Sequence, residues 1–477
     1  MLVSLNSYAQ KAPFENFKKS TIKIGDVRFD KYQGTVSVRI NRSDSSSAYM
    51  ALPVQIIKSP SETPAEPIVW MAGGPGQSNL KDLPSKEFLT NHDNILIGYR
   101  GVDGPIKLKS KRLARSMKGL HHKMLSDESL DNIGLCMKEY RGELLKKGVD
   151  VNCFTMIDVI DDFEQVRKQL GYSKINLVSC SYGTRVALLY GYRYPEAIKR
   201  SLMVGVNPPG NFVWKPEYMT RIIKTYDSIY KSQTTIGEIS IEECIRLSFS
   251  QMPKRWSLFR LDADKIKAAS FALLMEKKNA IMVFDAYRKA ALKKDYSGLY
   301  LMQLASDYIF PRIIVYGDLF CKAASADFDP TVNYRLMLRP DSNAIGTPLS
   351  MLFWGSSSKW PMKMIDAEYR KPRMSNTETL MISGNLDNST PAEIATQELL
   401  PYLPNGKQIV LKDMSHVGDM MCLQRGAFNH MALTYFDKGI VDTSMFKHDQ
   451  VSFKPQKSFC KMAKVYYPIV FIMSLFK

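Results

Sequence analysis

Ile175-Asn-Leu-Val-Ser-Cys-Ser-Tyr-Gly-Thr-Arg-Val186 decides the fold. Ile175 to Val178 is a short, largely apolar run of the kind buried inside a parallel sheet. The residues after Gly183 read as a helix that reaches Tyr194 and stops at Pro195. Between the two lies Ser179-Cys180-Ser181-Tyr182-Gly183. A serine on a sharp strand-to-helix turn has its Oγ lifted clear of the sheet, provided small residues flank it at minus two and plus two. Ser179 and Gly183 hold those places around Ser181. The helix N-terminus turns free N–H groups toward the same point and favours developing negative charge there. Cys180 sits one place early and is expected to point into the fold as an inert thiol.

The flanking sequence repeats this strand–helix grammar. Upstream, Met156, Val159, Ile160, Phe163, Val166 and Leu170 fall on one helical stripe that Gly171 ends. Ile68-Val-Trp-Met71 and Asn94-Ile-Leu-Ile-Gly98 read as buried strands, and Leu202-Met-Val-Gly205 is the next one downstream. Phe29 to Ile57 alternates in β fashion, with a polar break from Asn41 to Ser47. From Asn207 to about Asp366 the pattern becomes helix-rich, with no clear strand–helix–strand order. Strands return at Glu378 to Ser383 and at Gln408 to Lys412. The alternation predicts a mostly parallel central sheet with helices on both faces, interrupted by a helical insertion. The expected divisions are 1–10, a signal-peptide remnant; 11–206, the first part of the core; 207–366, a helical cap; 367–442, the second part of the core; and 443–477, a tail.

A serine nucleophile needs a histidine base oriented by a carboxylate, and after a nucleophile elbow the chain order is serine, acid, histidine. Of the six histidines, His416, His430 and His448 follow Ser181. His416 lies in a loop just after the last strand, whereas His430 falls inside a helix and His448 in the polar tail. Asp387 lies in a turn after the strand that begins at Glu378. Ser181, Asp387 and His416 are therefore the candidate catalytic residues. Acyl transfer also needs donors for an oxyanion. Gly73-Gly74-Pro75-Gly76, directly after an early strand, can expose backbone N–H groups, and Pro75 donates none. Gly74 and Tyr182, the residue after the nucleophile, are the candidate donors.

The 477 residues are 45% hydrophobic and 23% charged, an ordinary globular composition. Lys plus Arg is 65 against 47 for Asp plus Glu, a net charge of +18. The densest basic stretch, from Lys107 to Lys123, has no interleaved aromatics and matches no nucleic-acid module, so it reads as a solvated face. Seven cysteines without a CxxC pair argue against a zinc site, and no cofactor is expected. No apolar run reaches membrane-spanning length, and Val465 to Phe476 is too short for it. Met1 to Gln10 ends in Ser7-Tyr8-Ala9, a small-x-small pattern that fits cleavage of a secretory signal.

Four ordered motifs carry a family resemblance. Ala72-Gly-Gly-Pro-Gly76, Gly98-Tyr-Arg-Gly-Val-Asp-Gly104, Ser179-Cys-Ser-Tyr-Gly-Thr184 and Ser383-Gly-Asn-Leu-Asp-Asn-Ser-Thr-Pro391 resemble those of the proline iminopeptidase and tripeptidyl aminopeptidase family. The likeness runs from about residue 28 to about residue 440. It implies an α/β-hydrolase fold with a helical cap, exopeptidase action on peptides with free N-termini, and a secreted or periplasmic location. Ala72, Ser179 and Gly98 stand where the family has His, Gly and Asp, and no triad group is among these departures. The resemblance also puts Cys136 where relatives often carry a cysteine, with Cys153 near enough in sequence to bridge it. A cap carboxylate is expected to hold the peptide amine, with Glu217, Glu238, Glu242, Glu243 and Asp285 as candidates. Esterase action on the same triad is the alternative, and a non-catalytic binding protein is a third reading.

Overall fold

The computed structural model of the chain describes residues 17–234, 238–339 and 341–467. The Met1–Gln10 segment therefore lies outside the described residues.

A nine-stranded sheet forms the frame. Its strands are β1 (Lys18–Ile24), β2 (Val27–Arg39), β3 (Tyr49–Ile57), β4 (Ala65–Met71), β5 (His92–Ile97), β6 (Ile175–Cys180), β7 (Ile198–Val204), β10 (Glu378–Gly384) and β11 (Gly406–Leu411), and a small hairpin, β8 (Arg255–Trp256) and β9 (Phe259–Arg260), lies apart from it. The order is β1-β2-β3-β5-β4-β6-β7-β10-β11. The pairs β1–β2, β2–β3 and β3–β5 are antiparallel, and the five pairs from β5 to β11 are parallel. β5 and β6 are buried along almost their whole length, as strands covered on both faces must be.

The helix Met156–Gln169 starts at a capping box, Thr155 with Asp158, and buries the predicted stripe against the sheet. Gly171 follows it at φ 77°. A separate apolar cluster fills the segment between β7 and β10, which holds the helices Pro216–Lys231, Ile241–Ser250, Ala263–Leu273, Lys277–Lys293, Ser297–Ile313, Tyr316–Asp327 and Pro348–Trp354. Residues Leu108 to Phe154, which precede β6, contribute to that cluster rather than to the sheet's own core. The tail helix Phe459–Val465 buries Cys460 and Ala463, and Cys460 packs beside Gly298. Cys136 and Cys153 are both buried and unbridged, and the other described cysteines are also free. No described helix is long and apolar enough to cross a membrane.

Candidate active site

The carboxyl ends of the parallel strands gather the chemistry. Ser181 follows β6 directly and opens the helix Tyr182–Arg193 at φ 51° and ψ −119°. L-residues rarely occupy that region, and such strain persists only where neighbours enforce it. Ser181 N–H donates to Val204 O at 2.9 Å, which ties the elbow to β7. Thr184 bonds back to Ser181 O through both its N–H (2.9 Å) and its hydroxyl (2.6 Å). A Cβ on Gly183 would run into the carbonyl oxygens of Met71 and Ala72, so only glycine lets the helix start this close to β4. Ser179 Oγ donates to Leu202 O at 3.2 Å, a bond that glycine at that place would lack.

Asp387 and His416 come from the turns after β10 and β11. His416 Nδ1 lies 2.7 Å from Asp387 Oδ2, and Thr390 Oγ1 donates to the same oxygen at 2.7 Å. Asp387 Oδ1 accepts the N–H groups of Ser389 and Thr390, each at 2.8 Å. Asp387 is fully buried. Burial alone would raise its carboxyl, but the His416 charge and hydrogen bond, with those from Thr390, hold it below the usual carboxylate range. An ionised Asp387 accepts only, so Nδ1 carries the imidazole proton and Nε2 is left as the base. The histidine loop crosses the aspartate turn at Gly384, where a Cβ would meet Met414 O and Ser415 O. His416 N–H donates to Met275 O at 3.0 Å, a carbonyl of the insertion.

Ser181 and His416 line one cavity of about 620 Å³. Among the described residues no hydrogen bond joins them. Gly73 and Gly74 line the same cavity, and Gly73 packs so closely against Ser181 that a Cβ there would stand 3.2 Å from the serine Cβ. Tyr182 is not in the cavity wall; its N–H opens the helix and has no acceptor within it. Cys180, expected to point into the fold, is instead half-buried and lines the same cavity, where its Sγ touches Met421 Sδ at 3.4 Å; desolvation pushes its thiol up to about 12, which keeps it a thiol at neutral pH. His430 pairs with Asp442 at 2.8 Å and His448 with Asp413 at 3.1 Å, and neither lines the cavity.

The expected cap carboxylates are elsewhere. None of Glu217, Glu238, Glu242, Glu243 and Asp285 lines the cavity. Glu238 takes the Tyr230 hydroxyl at 2.7 Å, and Asp285 takes the Lys289 ammonium at 2.6 Å. The insertion does cover Ser181, but with apolar side chains: Trp214, Met275, Phe310, Ile314, Leu349 and Phe353. The carboxylate in the wall is Asp82, which follows the Gly-Gly-Pro-Gly loop and is exposed.

Several supporting residues escaped the sequence reading. Asn79 accepts Ala72 N–H at 2.6 Å and donates to Trp70 O and Ile97 O. Asp103 Oδ2 accepts Asn79 N–H and Tyr99 N–H, each at 2.9 Å, and Tyr99 OH donates to Ala72 O at 3.0 Å. Arg100 is buried and bonds both Asp162 oxygens and the carbonyls of Arg39, Ile40 and Cys153. Asp103 and Thr390 lie inside quoted motifs; nothing local to Asn79 marks it.

The family model described as alpha/beta hydrolase fold matches residues 126–418. The protein YuaR of Escherichia coli (strain K12), which carries a hydrolase name, is 24% identical over 168 residues, 34% of this chain. The match spans only about a third (32%) of that relative's length. Among solved structures, the proline iminopeptidase of Mycobacterium smegmatis aligns with 88% of this chain and 97% of its own at 13% identity and TM-score 0.37. The esterase EaEST of Exiguobacterium antarcticum aligns with 82% and 97% at 14% identity and TM-score 0.36. Likeness of that size bears on neither activity nor substrate. The family match spans more than half of the sequence and agrees with the sheet order and the elbow, so the chain belongs to the α/β-hydrolase fold family.

Proposed function

We propose that this chain is a serine hydrolase that forms an acyl-enzyme on Ser181. The observation that carries the reading is the His416–Asp387 hydrogen bond of 2.7 Å, made by an imidazole that lines the cavity of a serine held at φ 51°. His416 Nε2 takes the Ser181 proton as Oγ attacks a carbonyl. The N–H groups of Gly74 and Tyr182 receive the oxyanion. Collapse expels the leaving group, protonated by His416, and water then hydrolyses the ester by the same steps in reverse order. Asp387 keeps the imidazole in the donating tautomer and offsets its positive charge.

For the substrate, the proposal is release of N-terminal residues or short peptides from peptides with free N-termini. Its support is the motif resemblance and the cap over Ser181, which limits how much chain can enter. A second reading, hydrolysis of esters with apolar acyl groups, has its own support: the insertion lines the cavity with Trp214, Phe310 and Phe353 and with no carboxylate among the described residues. A panel of aminoacyl, tripeptidyl, N-blocked and p-nitrophenyl ester substrates separates them. Turnover of free but not blocked peptides supports the exopeptidase, and turnover of esters alone supports the esterase. No turnover together with no fluorophosphonate labelling of Ser181 would refute catalysis. Export is also proposed, on the Met1–Gln10 pattern; an N-terminus retained at Met1 in the mature protein would count against it.

A further inference from the structure

The Gly73–Gly76 loop has almost no side chains of its own with which to hold a shape, so whatever fixes its N–H groups must come from outside it. Two of its holders belong to the insertion. Gly76 N–H donates to Asp318 Oδ2 at 3.1 Å, and Gly76 O accepts Val315 N–H at 2.8 Å. Asp318 lies on the helix Tyr316–Asp327, 242 residues further along the chain than Gly76. Its other oxygen takes the Lys322 ammonium one turn later, and both side chains are 0% exposed. Lys322 Nζ donates to Arg100 O at 3.2 Å and lies 5.3 Å and 6.0 Å from the ring centroids of Tyr99 and Tyr182. Tyr99 holds Ala72 O at the other end of the loop, and Tyr182 carries the second candidate oxyanion donor.

A fully buried ion pair is costly, and apolar side chains of the same size would fill the space at less cost. Here its hydrogen bonds run to the glycine loop and to the turn containing Arg100, and the Lys322 ammonium makes a cation–π contact with the residue after Ser181. We infer that Asp318 and Lys322 are positioning residues that fix the oxyanion-binding groups on both sides of Ser181. The inference rests on the acyl-enzyme reading above. The insertion therefore shapes the catalytic loop as well as roofing the cavity.

Two variants test it. In Asp318→Asn the amide oxygen turns to the Lys322 ammonium, which leaves an NH2 facing Gly76 N–H, donor against donor. In the double variant D318L/K322M the pair becomes apolar at similar volume, so no charge is stranded if the single variant folds poorly. The readouts are hydrolysis of p-nitrophenyl butyrate and inhibition by an octyl trifluoromethyl ketone, which mimics the tetrahedral intermediate at the serine. Both variants should lose about a hundred-fold in kcat, the scale of one oxyanion donor, with KM changed less than about twofold. The inhibition constant of the ketone should rise in step with the loss of kcat. A merely structural pair would lower the amount of folded enzyme but leave that ratio alone. A folded variant with kcat within about twofold of wild type, or with ketone affinity unchanged, would overturn the inference. If wild type neither turns over the ester nor labels at Ser181 with fluorophosphonate, the acyl-enzyme reading fails first and takes this one with it.

Discussion

Ser181 combines chemistry with backbone strain. At φ 51° and ψ −119° a residue with a Cβ loses about 1–3 kcal/mol relative to an ordinary conformation. Glycine occupies that region freely. Ser181→Ala should therefore lose at least about a thousand-fold in kcat and keep the strain. Ser181→Gly should be equally inactive but more stable than the alanine variant by about 1 kcal/mol, read as a higher Tm. Equal Tm values would mean that the turn is not strained in solution. The three candidate triad residues were legible because order along the chain and position at strand ends pick them from six histidines and many carboxylates. Asn79 and Asp318 were not, because what each holds in the glycine loop is a backbone N–H, of Ala72 and of Gly76, and such a bond leaves no trace in composition or periodicity.

At the scale of elements, close approach decides more than propensity does. Gly183 sits where a Cβ would overlap the Met71 carbonyl, and backbone on both sides cannot move without shifting β4 against the elbow helix. Gly183→Ala should cost about 3 kcal/mol, at the upper end for overpacking, measured by urea unfolding. A cost under about 1 kcal/mol would show that the elbow can relax. In the insertion, Asp262 caps the helix Ala263–Leu273, with Oδ1 accepting Asp264 N–H at 3.0 Å and Lys265 N–H at 3.2 Å. Its Oδ2 is buried without a partner among the described residues, and burial pushes the carboxyl up to about 6, with help from the Asp264 charge. The folded state thus binds this proton more tightly than the unfolded one. The resulting stability is fully present below about pH 4 and is lost as pH rises through about 6. Stability of wild type relative to Asp262→Asn should fall by about 2 kcal/mol between pH 4 and pH 7. A difference independent of pH would show that Asp262 titrates normally. The parallel strands were readable as short apolar runs. β1 was not, since its side chains are mostly exposed at the sheet edge and carry no strong alternation. In the insertion, Pro216–Lys231 buries a clean stripe through Met219, Ile222, Ile223, Tyr226 and Tyr230, whereas Tyr316–Asp327 is buried from Tyr316 to Ala326 and so shows no stripe to read.

On the scale of the whole molecule, the insertion and the core meet over Ser181, and the character of that meeting ranks the two substrate readings. A carboxylate desolvated beneath the cap would discriminate strongly for a free amine. The wall offers Asp82 instead, and Asp82 is exposed. An ion pair with an exposed carboxylate is worth at most about 1 kcal/mol, or roughly fivefold in binding. The apolar wall is the stronger lever, because each methylene buried against it contributes about 0.8 kcal/mol, roughly fourfold. Two methylenes already outweigh the ammonium. Across p-nitrophenyl esters from acetate to hexanoate, kcat/KM should therefore climb about fourfold per methylene until the cavity is full. Among peptides, apolar N-terminal residues should gain by the same increments. Asp82→Asn should raise KM for free-amine peptides by about fivefold and leave the ester series unmoved. If the ester series is flat while Asp82→Asn abolishes peptide turnover, the ranking is reversed: the amine, held at Asp82, would dominate recognition, and the cap's aromatic residues would be packing and nothing more.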